Sequence, residues 1–149
     1  MNIETIINYV QLSKNIATSG QPTEMQFDAI AEHGYKAVIN LAMPDSIGAI
    51  NAEGAIVTSL GLPYFHIPVP FDSPQKWHLA IFMKLMAALE GERVWVHCAK
   101  NYRVSAFMYH QQKQARNLSA EKARSILYEG WRPDAVWQAF LAMDANDCG

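Results

Sequence analysis

Three short apolar runs recur along the chain with helix-patterned sequence between them. These are Ala37-Val38-Ile39-Asn40-Leu41, Tyr64-Phe65-His66-Ile67-Pro68-Val69 and Val94-Trp95-Val96. Such runs read as buried strands. Thr23-Glu24-Met25-Gln26 has capping-box form and opens a helix that Gly34 closes. The stretch from Ile47 to Leu60 is weakly helical, interrupted by Gly48 and Gly54 and ended by Gly61. Ser73-Pro74 supplies an N-cap and a first helical position for a helix running through Trp77, Ile81, Met83, Leu85 and Leu89 to Gly91. Helical sequence resumes from Val104 to Arg116, Ser119 caps another helix ending near Gly130, and Pro133 starts a last one reaching about Met143. Strands alternating with helices predict an α/β fold with a central, mostly parallel sheet and helices on both faces. In such sheets ligands bind beyond the carboxyl ends of the strands. Without repeats, linkers or low-complexity segments, the expectation is one domain over residues 1–149, its core spanning about 17–143.

Half of the 149 residues are apolar and 17% are charged, which excludes a disordered tail or a charged coiled coil. Apolar runs such as Leu79-Ala80-Ile81-Phe82-Met83 fall far short of a membrane span. Met1-Asn2-Ile3-Glu4 lacks a basic region leading into an apolar one. With two cysteines, too few for a disulfide framework, the expected location is the cytoplasm, although a chain trimmed of its leader would look the same. Cys148, next to the last residue, is expected to fray. The five histidines are not spaced as a zinc set, so no metal is expected. A net charge of −2 predicts no general affinity for nucleic acid or membrane. Residues 93–132, however, carry +6 between segments of −5 and −3. This basic stretch is either a local anion site or a solvated helix face.

Within it, Val94-Trp95-Val96 delivers His97-Cys98 to the tip of the sheet, a short loop turns, and a helix begins. The first N–H groups of a helix have no intrahelical partners and carry the positive end of its dipole. A cysteine there, near Lys100 and Arg103, is expected to be largely thiolate near neutral pH. The same N–H groups and the Arg103 fork can hold a tetrahedral oxyanion. Nucleophile and anion clamp within six residues suit attack on phosphorus or a related centre. The alternative is a structural cysteine at a strand end. His97 is either a core residue or a support that hydrogen-bonds the loop and favours the Cys98 thiolate. Lys100 is read as a diffuse attractive charge, Tyr102 as shaping the pocket mouth, and Trp131 and Trp137 as closing an apolar cluster. No Gly-x-x-x-x-Gly-Lys-Ser/Thr occurs, which excludes a nucleoside-triphosphate loop of that type.

His97-Cys98, a short loop, Arg103 and a nearby Ser105 resemble the signature of the protein tyrosine and dual-specificity phosphatase superfamily. More narrowly, Ser19-Gly20-Gln21-Pro22, Ala37–Leu41, His66–Val69, His97–Arg103 and Trp131-Arg132-Pro133-Asp134-Ala135-Val136-Trp137 resemble the small bacterial phosphatase-like family DUF442. Relatives of that family also occur fused to hydrolase or NAD kinase domains. The resemblance extends roughly from Ala17 to Met143. It implies a cysteine-phosphatase-like fold and hydrolysis of a phosphorylated protein or small molecule through a phosphocysteine on Cys98, without a cofactor. Ala99, Lys100, Asn101, Tyr102 and Arg103 would cradle the phosphate, and Ser105 would ease departure of the thiolate.

The superfamily loop has five residues between Cys and Arg; here there are four. Either the loop is one residue shorter, or Arg103 enters about 100° early around the helix. Rhodanese-type sulfurtransferases use this shorter loop, so sulfur transfer through a Cys98 persulfide is the alternative, and a weakly catalytic phosphate-binding module a third. The resemblance also implies an aspartate proton donor from a loop preceding the cysteine strand. Asp72, in Pro70-Phe71-Asp72-Ser73-Pro74, is the candidate; its plain role would be to aid a turn. Asp45, in Met43-Pro44-Asp45-Ser46, is the substitute, or else a helix cap.

Overall fold

A computed structural model describes residues 2–145, and Cys148 lies outside them. The described chain runs β1 (Val10–Gln11), β2 (Ile16–Ser19), α1 (Glu24–Glu32), β3 (Ala37–Asn40), α2 (Glu53–Ser59), β4 (Tyr64–His66), α3 (Lys76–Ala88), β5 (Val94–His97), α4 (Tyr102–Ala115), α5 (Ala120–Ala123) and α6 (Ala135–Ala142). The strands lie in the order β1-β2-β5-β3-β4. β2, β3, β4 and β5 are parallel, while β1 pairs antiparallel with β2. Side chains alternate across β5 as the pleat requires. Val94 and Val96 enter a core shared with α3, α4 and α6, and Trp95 enters a second core with Phe27, Ile30 and Val57 on the α1–α2 side. Both faces are therefore covered, and Ser19, His97 and Asn40 stand level at the carboxyl edge of three neighbouring strands.

Local chemistry accounts for most boundaries. Thr23 and Gln26 form both bonds of the capping box, at 3.2 and 2.9 Å. Gly34 closes the α1 turn with φ of +85°. The expected helix from Ile47 is shorter, because residues 47–52 form turns and α2 starts only at Glu53. The start expected at Ser73-Pro74 is also displaced. The Ser73 N–H donates to the Pro70 carbonyl at 3.2 Å in a turn, and Gln75 caps α3, its N–H donating to His78 Nδ1 at 2.9 Å. Asp134 rather than Pro133 opens α6, its carboxylate accepting the Trp137 N–H at 3.0 Å. The segment after Ser119 makes only α5 and one 3-10 turn, Arg124–Ile126. β1 and β2 have no counterpart in the sequence reading; they are short and their flanks are polar, so their strand character comes from pairing. Among the described residues no helix is long and apolar enough to cross a membrane.

Candidate active site

Three loops at the carboxyl ends of β3, β4 and β5 meet around a cavity of about 630 Å³. Met43, Asp45, Ser46 and Ile47 come from the first, Pro70, Phe71 and Asp72 from the second, and Cys98, Ala99, Lys100, Tyr102 and Arg103 from the third. The chain thus gathers Cys98, Arg103 and both aspartate candidates into one pocket. Of the eight basic residues in the 93–132 stretch, only Lys100 and Arg103 line it. Arg93 lies at the far end of β5, over the Tyr35 ring, so the basic stretch is not one surface patch.

The loop itself is held from outside. The Cys98 carbonyl faces His97 Nδ1 at 3.1 Å, the Ala99 carbonyl accepts the Gln21 N–H at 3.0 Å, and the Lys100 carbonyl accepts Asn8 Nδ2 at 2.9 Å. In a trans peptide the carbonyl and the following N–H point in opposite directions. Turning the Cys98 and Ala99 carbonyls outward therefore aims the Ala99 and Lys100 N–H groups toward the cavity. Asn101 then takes a left-handed conformation, φ of +67°, which asparagine tolerates better than most residues. Its Nδ2 donates to the Asn8 carbonyl at 2.9 Å and to Thr18 Oγ1 at 3.1 Å. α4 starts directly after it, two residues earlier than expected, adding its positive N-terminus to the pocket.

This left-handed residue shows how a four-residue loop still brings arginine to the site. Arg103 is the second residue of α4 and is buried, Nη1 donating to the Val69 carbonyl at 2.8 Å and Nη2 reaching Ser46 Oγ at 3.4 Å. Its Cζ stands 5.7 Å from the centre of the Phe71 ring. Among the described residues Nε has no partner, so that edge of the fork keeps donors for oxyanions. Ser105 stands apart. Two positions beyond Arg103 is about 200° around a helix. Its hydroxyl donates to the Tyr102 carbonyl at 3.0 Å, and it lines a different cavity with Thr18, Asn101 and Tyr128.

His97 is fully buried and lies across the sheet from the cavity, edge-on to Phe27. Its Nε2 is 2.6 Å from Glu53 Oε2, while Glu53 Oε1 accepts Gln21 Nε2 at 2.7 Å. Burial pushes the Glu53 carboxyl up, but the hydrogen bond and charge of His97, with bonds from Gln21 and Tyr64, together hold it below its ordinary value. Sequence reading missed Glu53, for in sequence it is one acid in a weakly helical stretch. It also missed Asn8 and Ser46. Trp137 is buried as expected and has a second use, its Nε1 donating to the Phe71 carbonyl at 2.8 Å, next to Asp72. Trp131 stacks on Tyr102 with centroids 5.3 Å apart.

A crystal structure of a DUF442 protein from Shewanella putrefaciens CN-32, described as a candidate phosphatase, matches with a TM-score of 0.86 and 32% identity, covering 99% of this chain and 97% of that one. This chain belongs to the DUF442 family. The DUF442 chain is also 34% identical over 98 residues to the beta-lactamase hydrolase-like protein of Xylella fastidiosa. The match takes in 63% of this chain and 22% of that protein, so the DUF442 chain corresponds to about a fifth of those curated relatives. P. aeruginosa TpbA, in complex with pTyr, shares the fold with a TM-score of 0.76 at 15% identity, covering 99% of this chain and 90% of that one. The fold is thus the cysteine-phosphatase-like α/β fold expected from the sequence. No family model matches the chain.

Proposed function

We propose that this DUF442 chain is a cysteine-dependent phosphomonoester hydrolase. The observation that carries the reading is a single cavity lined by Asp72, Arg103 and the buried Cys98, with α4 beginning at Tyr102 beside them. Cys98 attacks phosphorus as the thiolate; the S–P bond forms as the P–O bond to the alcohol or phenol breaks. Arg103 and the loop N–H groups hold the three phosphoryl oxygens over which charge is spread in the transition state. Asp72 gives its proton to the departing oxygen. It then takes a proton from water, which attacks phosphorus, releases inorganic phosphate and returns the thiolate. Ser105 has no part in this scheme; the loop amides and helix dipole stabilise the departing sulfur. The substrate is a phosphorylated protein or small molecule, in keeping with the pTyr held by TpbA, which has the same fold. Turnover of p-nitrophenyl phosphate well above a Cys98→Ser control is expected, and equal rates would sink the reading.

A second reading has its own support in the four-residue loop and in a Ser105 hydroxyl that serves Tyr102. Cys98 would take the outer sulfur of thiosulfate, releasing sulfite, and pass it from the persulfide to cyanide as thiocyanate. Mass spectrometry of Cys98 after thiosulfate, alongside the phosphate-ester assay on the same preparation, separates the two. Phosphate protection against unfolding without either turnover would mark a binding module.

A further inference from the structure

Glu53 is a buried acid that the scheme above does not use. One oxygen meets His97 and the other Gln21, with a further bond from Tyr64, and both His97 and Gln21 lead to the nucleophile loop. His97 Nδ1 faces the Cys98 carbonyl at 3.1 Å, and the Gln21 backbone N–H donates to the Ala99 carbonyl at 3.0 Å. One carboxylate on the α1–α2 side of the sheet therefore anchors both groups that turn these carbonyls outward. A histidine ring with an acceptor at each nitrogen satisfies both only when both nitrogens carry hydrogen. A neutral ring would direct a lone pair at either the carboxylate or the Cys98 carbonyl.

We propose that Glu53 is a positioning residue for the nucleophile: it keeps the His97 ring a two-way donor, which fixes the Cys98 carbonyl outward and maintains a positive charge behind the sulfur. The proposal rests on Cys98 being the nucleophile and not on which centre it attacks. His97 adjoins Cys98 in the chain, and Glu53 sits on the far nitrogen of its ring, so the cation is the nearer of the two charges to the sulfur. Tyr9, Tyr35 and Tyr64 pack on this side, and the one beside Glu53 is Tyr64 of β4, kept neutral because burial, and then the Glu53 charge, push its phenol well up. On the cavity side the groups are Lys100, Arg103, Tyr102, Asp45 and Asp72.

The test uses the full chain carrying Cys148→Ser, so that a single thiol reports. Ring 15N signals of His97 and the iodoacetamide rate of Cys98 across pH are measured without further change and with Glu53→Gln or Glu53→Asp. Two protonated ring nitrogens at pH 7 are expected without further change. Glu53→Gln should leave one, slow alkylation at pH 7 by about threefold or more and move the profile to higher pH. Glu53→Asp, which keeps the charge, should recover most of the rate. A profile moved to lower pH, as simple removal of a nearby negative charge demands, overturns the proposal, and so does an unmoved one. A singly protonated His97 ring with Glu53 intact overturns it too, without requiring any Glu53 variant to fold. Absence of phosphate-ester turnover alongside the expected His97 and Cys98 behaviour would remove the phosphatase reading and leave the role of Glu53 standing.

Discussion

Gly20 is where the loop is most sensitive to a single added methyl. A Cβ there would stand 2.5 Å from the Ala99 carbonyl oxygen, 2.8 Å from Ile7 Cγ2 and 3.1 Å from Lys100 Cα. Only the Ile7 methyl belongs to a side chain able to give way. The Ala99 oxygen is tied to the Gln21 N–H at 3.0 Å, and the Gly20 N–H donates to the Ile7 carbonyl at 2.8 Å, so neither backbone is free to yield alone. Relieving the clash in Gly20→Ala requires the loop to move by about 0.5–1 Å. Overpacking of this kind costs about 1–3 kcal/mol. At ~3 °C per kcal/mol for a chain of this size, Tm should fall by roughly 3–9 °C. The displaced atoms are the loop that carries Cys98, the proposed nucleophile, and a misplacement near 1 Å can cost ~100-fold. kcat/KM for p-nitrophenyl phosphate should therefore fall by about 10- to 100-fold, with Cys98 alkylation as a substrate-free second reading. A lowered Tm with unchanged kcat/KM would mean that the contact merely packs. If neither moves, the close approach plays no part in shaping the loop.

Three further outcomes are expected. Asp72→Asn should lower kcat by roughly 10²–10⁴ while Asp45→Asn stays near wild type, and the opposite ranking in steady-state assays would transfer the proton donor to Asp45. Ser105→Ala should leave turnover within about twofold, because its hydroxyl serves the Tyr102 carbonyl; a loss of tenfold or more would return it to the chemistry. Acid should reduce Tm in two steps. Burial holds His110 and His78 below the usual histidine value, so stability is lost as pH falls below about 6.5, where the unfolded chain takes up protons first. Glu53, held below the ordinary carboxyl value of 4.5, contributes stability above that pH and loses it as pH falls through its lower folded value. His110→Gln should flatten the upper step and Glu53→Gln the lower one; melts that keep both steps in both variants would contradict these assignments.

The cysteine pocket was the most legible part of the site. His97-Cys98 and Arg103 lie within seven residues at the end of an unmistakable strand, so short-range spacing was enough to bring them forward. Asp72 follows β4, which β3 separates from β5, and came forward only as an aspartate after a strand. At Ser105 the spacing from Cys98 matches the superfamily, while the helical phase relative to Arg103 sets the residue in the lining of another cavity. Local spacing failed at Ser73-Pro74. A favourable cap sequence lost to a turn closed by the Pro70 carbonyl, because capping preferences amount to about 1 kcal/mol and tertiary context overrides them.

The amino-acid order alone determined the parallel α/β architecture, the helix start at Thr23 and the pairing of Cys98 with Arg103, since each depends on side chains a few residues apart in the chain. Folding alone decided what grips the loop. Asn8 reaches Lys100 across 92 residues, Glu53 reaches His97 across 44 and Trp137 reaches Phe71 across 66. Each grip is a hydrogen bond whose strength depends on distance through space, and the one between Glu53 and His97 is buried. Nothing in the linear spacing of those residues carries that distance.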